Sequence, residues 1–252
     1  MDQWLVYLIL FAVGVVAGTL NTIAGGGSFL TLPALMATSI AGLEANVANG
    51  TNRVAIVIQN IGAVWGFHRH GVVDWRYVAW AALPASFGAG LGAWIANSIG
   101  DAVFKNILAF LMVAVTLWTL WDPLKKRKPA EEDSRPNVGL LALGFFVVGI
   151  YGGFVQAGVG FLILAATTMA GLDLVRGNAV KVLSILVYSF VALGVFANFG
   201  NVDWVLGLAL AAGNFTGSQI GVRLTVLKGH AWVKAVVTIA VIALAIKLLV
   251  VG

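Results

Sequence analysis

Apolar residues along this chain gather into runs of about 20, parted by short polar turns. As an α-helix, a run of that length spans a hydrocarbon core about 30 Å thick. The runs lie near 4–24, 45–67, 76–98 and 103–121, and again near 138–156, 178–199, 204–224 and 232–251. Two shorter runs, 28–41 and 160–171, each follow a cluster of glycines. Short alternating strands, which a closed barrel would need, do not occur. The pattern predicts an all-α polytopic membrane protein.

The two halves of the chain repeat each other. At an offset of 129 residues, Gly42-Leu43 match Gly171-Leu172, Asn49 matches Asn178 and Phe67 matches Phe196. GVVDW at 71–75 matches GNVDW at 200–204, Gly88 and Gly92 match Gly217 and Gly221, and Lys105 matches Lys234. Three residues further out of register, GGSFL at 26–30 falls on GVGFL at 158–162. One long hydrophilic stretch, DPLKKRKPAEEDSRPN, separates the halves. The expected organisation is a first membrane repeat at 1–121, a cytoplasmic linker at 122–137 and a second membrane repeat at 138–252. Each repeat consists of a glycine-broken pair, with a short or re-entrant second helix, followed by three transmembrane helices.

Charge decides how the repeats are oriented. With the cluster Lys125, Lys126, Arg127 and Lys128 in the cytoplasm, inverted repeats put Arg69, Arg76, Arg135, Arg176, Arg223, Lys228 and Lys234 on the same side. Only Lys105 and Lys247 then fall outside. Parallel repeats would move Arg176, Arg223, Lys228 and Lys234 outside as well. Two inverted repeats with both termini outside are therefore expected. Trp4, Trp75, Trp94, Trp121, Trp204 and Trp232 lie near segment ends, as an interfacial aromatic belt requires.

Glycine costs roughly 1 kcal/mol relative to alanine in a helix interior, so Gly25, Gly26 and Gly27 in succession end a helix at membrane depth. Irregular backbone is tolerated there only where protein buries it or a polar cavity receives it. The helix restarting at Ser28 turns unpaired N–H groups and a positive dipole end toward the break. Gln156-Ala157-Gly158-Val159-Gly160 repeats the device. Paired interruptions in two halves point to a transporter's substrate site, and helix N-termini there suit an anion. The plainer alternative is that the glycines only allow close packing or a hairpin.

Two cations, Arg53 and Lys181, fall inside the spans at near-equivalent places. A mid-bilayer charge costs about 2.5–3.5 kcal/mol and normally faces a pathway or a partner. Asn49, Asn52 and Asn60 share a helix face with Arg53, as Asn178 and Ser189 do with Lys181. The candidate substrate-binding residues are thus Asn21, Gly25, Gly26, Gly27, Asn49, Asn52, Arg53, Gln156, Gly158, Gly160, Asn178 and Lys181. Snorkelling or internal hydrogen bonding is the competing account of the two cations. The GxxxG spacings at Gly88–Gly92 and Gly217–Gly221 read as packing. Gln219 and Asn214 are open to either a path-lining or a structural role.

Composition narrows the function. The chain is 60% hydrophobic and only 10% charged, against about 25% charged in soluble domains. It has no cysteine, which excludes disulfides and thiol chemistry. The N-terminal MDQW lacks the basic region of a signal peptide, so the first run is expected to be retained. The net charge of +5 sits mostly on loop lysines and arginines and indicates membrane orientation, not nucleic-acid binding. Every carboxylate and all three histidines fall in loops or at segment ends. No intramembrane proton relay, catalytic carboxylate pair or metal cluster is therefore expected. The expectation is a non-enzyme with no cofactor, no metal and no catalytic residue. Its partners would be the lipid bilayer and a small anionic substrate, and the sequence also accommodates a homodimer.

The stretch GTLNTIAGGGSFLTLP at 18–33, the polar helix start at 48–53, the repeated GVVDW and the two-half layout resemble the TauE/SafE family of membrane transporters. The likeness covers nearly the whole chain. It implies a bacterial inner-membrane secondary transporter, of a family often associated with export of sulfite or of small organosulfonates such as sulfoacetate; the alternative is an anion channel, or a transporter of another small oxyanion or carboxylate. GVG in the second half stands where the first has GGG, so a symmetric site is not implied. No family motif assigns the binding residues.

Overall fold

The computed structural model describes residues 2–71, 74–121 and 137–251, with side chains except those of 116, 118–121, 174 and 229–251. Apart from Asn137, the expected linker lies outside these residues. The described chain is helical: α1 (Gln3–Ile23), α2 (Ser28–Met36), α3 (Ala45–Arg69), α4 (Trp75–Ser98), α5 (Asp101–Trp121), α6 (Val138–Phe154), α7 (Val159–Met169), α8 (Leu174–Asn198) and α9 (Trp204–Val251). Gln3–Ile23, Trp75–Ser98, Val175–Asn198 and Trp204–Lys228 are long and apolar enough to cross a membrane.

Loop carboxylates and amides start several of these helices. Asp74 accepts from Arg76 N, Asn137 from Leu140 N, and Asp173 from Val175 N and Arg176 N. Asp203 accepts from Leu206 N at 3.0 Å. Such caps satisfy N–H groups that the first turn leaves without partners. The repeated VDW motif thus places a capping aspartate before both α4 and α9.

Small residues bring helices into backbone contact, as GxxxG spacing allows. A β-carbon on Gly213 or Gly217 would strike the α1 carbonyls of Phe11 and Val15, and one on Gly14 would strike that of Leu210. Gly149 and Gly153 lie equally close to Ala85 and Ala89 of α4. The order of these contacts makes α1 parallel to α9, and α4 parallel to α6. α3 also runs with α9, placing Val54 beside Gly207, Gly62 beside Phe215 and Gly66 beside Val222. α8 runs against α3, since Gly50 meets Phe196 while Phe67 clusters with Ala179 and Val182. Most of α3 is buried, including its four asparagines, Gln59 and Arg53. Those side chains face protein, and of its polar residues only His68 and Arg69 at the helix end are exposed.

The sequence places separate segments at 204–224 and 232–251, but the structure joins them in the 48-residue helix α9. This corrects the expectation of three transmembrane helices after the second glycine-broken pair: α8 and α9 are what follow α7. The junction TVLKGHA carries polar side chains but only one glycine and no proline. Polarity alone does not stop a helix, and a single glycine costs only about 1 kcal/mol.

Candidate functional site

The glycine breaks of the two halves meet. Gly25 adopts φ +93° and Gly158 φ +70°, a left-handed geometry that favours glycine. A β-carbon on Gly25 would strike Cα of Gly160, and one on Gly160 would strike Cα of Gly25. The phenyl rings beside the breaks are exchanged as well. Gly26 lies under the ring of Phe161, and Gly158 lies under the ring of Phe29. Gly27 packs on the α1 backbone at Ala17. Neither Gly27 before α2 nor Gly158 before α7 provides a side-chain cap, so both short helices present uncapped N-termini at the crossing.

Each buried cation reaches across to the other half. Arg53 is fully buried and donates from Nη1 to Gly152 O at 3.0 Å and from Nη2 to Gly153 O. A longer contact joins Nη1 to Gln156 Oε1 at 3.5 Å, and the Phe196 ring lies 4.7 Å from the guanidinium carbon. Lys181, also fully buried, donates from Nζ to Asn21 O at 3.1 Å and to Thr22 O at 3.0 Å. The acceptors are the last carbonyls of α6 and α1, the negative ends of the two interrupted helices. Cations there satisfy carbonyls without helical partners and complement the dipole. Internal hydrogen bonding, the alternative that the sequence left open, therefore describes both cations in this conformation.

The other polar residues extend this lattice. Asn49 donates to Phe154 O at 2.8 Å, a third carbonyl at the end of α6. Asn52 donates to Ser28 Oγ at 3.2 Å and accepts from Thr31 Oγ1 at 2.7 Å, tying α3 to α2. Asn21 and Asn214 both donate to Gln59 Oε1 at 3.2 Å. Gln156 donates to Tyr188 OH at 3.3 Å. Asn60 bonds only back to Ile56 O of its own helix. Asn178, one turn before Lys181, is buried with neither amide atom bonded. Eleven of the twelve candidates thus contribute to the crossing or its hydrogen-bonded surround, and the Asn178 side chain stands apart from that lattice.

Sequence reasoning missed Gln59, Thr31 and Tyr188. A signal for two of them exists: Gln59 follows Asn52 by seven residues, and Tyr188 follows Lys181 by seven. Two helical turns place each on the face of its predecessor.

Buried polar helices, paired breaks and lipid-length apolar spans define a multi-pass helical membrane protein, and its bacterial relatives make it a membrane transporter of the inner membrane. The profile of the sulfite exporter TauE/SafE family matches residues 10–248, and the chain belongs to that family. It is 33% identical to the "Probable membrane transporter protein ORF9" of Sinorhizobium sp, covering 95% of this chain and 91% of that one. Identity to a "Probable membrane transporter protein" of Haemophilus influenzae is 31%, over 92% and 89% of the two chains. The Escherichia coli K12 "Probable membrane transporter protein YfcA" is also 31% identical, over 96% and 88%. No solved structure matches the chain.

Proposed function

We propose that this transporter exports a small anion, sulfite or a small organosulfonate such as sulfoacetate, from a site where two inverted repeats cross. The observation that carries the reading is a pair of buried cations, Arg53 and Lys181, that no buried carboxylate balances among the described residues. Arg53 Nε, Gln59 Nε2 and Asn178 Nδ2 are buried donors without partners, and the amide oxygens of Asn46, Asn49, Asn60, Asn178 and Asn214 are unpaired as well. Leaving a buried donor unmade costs about 1–3 kcal/mol. An oxyanion brings several acceptor oxygens and the charge that Arg53 and Lys181 favour, while the N-termini of α2 and α7 add N–H groups.

Helix directions support inversion. α1, α3 and α9 run one way, whereas α4, α6 and α8 run the other, so the matched pairs α1/α6, α3/α8 and α4/α9 are opposed. Repeat limits of 1–121 and 138–252 fit this reading, as does a carrier role without catalysis. Export needs no coupling ion on energetic grounds. An anion leaving a negative cytoplasm gains about 2.3 kcal/mol per charge per 100 mV. For a dianion that is about 4.6 kcal/mol, a concentration ratio above a thousand.

Two experiments test the proposal. Purified protein is screened by thermal shift against sulfite, sulfate, sulfoacetate, taurine and carboxylates. A ligand specific to the folded state adds about 2.7 kcal/mol at a hundred times its Kd. Stabilisation by none of the sulfur anions would remove the substrate class. Flux is then followed in proteoliposomes with the potential clamped by potassium and valinomycin. Flux that ignores the potential but follows a pH or sodium gradient would remove uniport.

A further inference from the structure

A cavity of about 520 Å³ lies away from the glycine crossing, where the end of α3 meets the middle of α9. Trp65, Arg69, His70, Gln219 and Arg223 line it. Its volume falls within the range of small-molecule pockets. The Arg69 guanidinium carbon sits 4.8 Å from the centre of the Trp65 ring, which holds the fork over an aromatic face. His70 Nδ1 is 2.8 Å from Gly66 O, so Nδ1 carries the proton and Nε2 is left to other partners. Among the described residues no carboxylate lines the cavity. The one ion pair among the described residues is Arg176–Asp173, so no described carboxylate compensates Arg69 or Arg223.

The pocket also connects inward. Gly62 lies against the Gln219 amide, and Gln59 stands one turn further along the same face of α3. Gln59 in turn holds Asn21 and Asn214, and the Asn21 carbonyl holds Lys181. A row of polar groups therefore leads from the basic pocket to the crossing.

We propose that this pocket is a second oxyanion site, a vestibule that captures the substrate's sulfite or sulfonate group on the side from which it loads. The same chemistry, two arginines converging on an oxyanion, also suits the phosphate of a lipid headgroup. The loading role rests on the export reading, whereas the oxyanion site does not.

The test is the Arg69→Gln/Arg223→Gln variant in proteoliposomes of phosphatidylcholine alone and of phosphatidylcholine with phosphatidylglycerol. Two exposed charges acting together are worth about tenfold in affinity. The expected result is an approximately tenfold higher KM for sulfite in both lipids, with kcat unchanged. Lysine at both positions should restore the KM. Arg176→Gln, at the same end of the bundle because α8 runs against α3, should leave it unchanged. An unaltered KM in the glutamine variant overturns the proposal. A change seen only with phosphatidylglycerol also overturns it and assigns the pocket to a lipid phosphate. If the parent protein moves neither sulfite nor sulfoacetate, the export reading fails. Titration calorimetry of detergent-purified protein with sulfite and with inorganic phosphate then decides the pocket. Binding lost in the glutamine variant supports an oxyanion site, and absence of binding to the parent rejects it.

Discussion

Substituting alanine for Gly25 separates two contributions that the crossing combines. Its left-handed φ of +93° costs an L-residue roughly 1–2 kcal/mol. Its Cβ would also enter the backbone of Gly160, an overpacking that typically costs about 1–3 kcal/mol. Together these give about 2–5 kcal/mol. Gly200 provides the first contribution alone, because it has φ +75° and a β-carbon added there would meet nothing within 4 Å. Gly160 provides the second alone, since it meets Gly25 without a positive φ. For a chain of this size each kcal/mol shifts the melting temperature by about 2–4 °C. Thermal unfolding in detergent should therefore rank Gly25→Ala as most destabilised, with Gly200→Ala and Gly160→Ala each milder. The double substitution at 25 and 160 places two methyl groups in one gap and should depart from additivity by more than about 0.5 kcal/mol. Equal melting of Gly25→Ala and Gly200→Ala, with additive behaviour at 25 and 160, would refute the face-to-face contact.

Arg53→Gln should weaken anion binding by about ten- to a hundredfold, since hydrogen bonds to a charged group contribute roughly 1.5–3 kcal/mol; unchanged affinity in a folded Arg53→Gln/Lys181→Gln protein would move the site elsewhere. In intact cells, a single cysteine at position 201 should react with an impermeant thiol reagent and one at 230 should not, and the reverse result rejects the inverted orientation. Asp203→Ala should cost about 0.5–2 kcal/mol by uncapping α9, measured by thermal unfolding; Asp2→Ala should be neutral because Asp2 makes no side-chain cap bond.

Helix positions are legible in the sequence because lipid-length apolar runs and glycine breaks are local signals. The sequence run 28–41 begins with α2 at Ser28, but α2 stops at Met36. Its remaining residues form the turn after Ala37. The Gly25–Gly160 contact is not legible, because glycine content shows where backbone can approach but not which backbone arrives. The partners of Arg53 and Lys181 are hidden for another reason. They are main-chain carbonyls, which every residue carries, so residue identity at 21, 22, 152 and 153 conveys nothing about them. Gln59 is one amide among several in α3, and Tyr188 one hydroxyl among several in α8. Only their shared seven-residue spacing from Asn52 and Lys181 distinguishes them. Hydropathy divides α9 at a polar stretch, although the composition of that stretch permits continuous helix.

Charge at the crossing favours divalent substrates. Each helix end carries roughly half an elementary charge. The negative ends of α1 and α6 total about −1, and the positive ends of α2 and α7 total about +1, so the termini cancel. What remains is the charge of Arg53 and of Lys181 in its protonated form, up to about +2, with no buried carboxylate among the described residues to balance it. A dianion neutralises such an interior, whereas a monoanion leaves half the charge and a zwitterion leaves all of it. Carbonyls can hold the two cations in place without neutralising them, which a carboxylate would do while competing for the substrate's position. The expected order of stabilisation in a thermal-shift titration is therefore sulfoacetate, with a sulfonate and a carboxylate, above taurine, whose ammonium cancels its sulfonate. Lowering the two cations to one by Lys181→Gln should narrow that difference. Equal shifts for sulfoacetate and taurine in the parent protein would show that shape, not charge, selects the ligand.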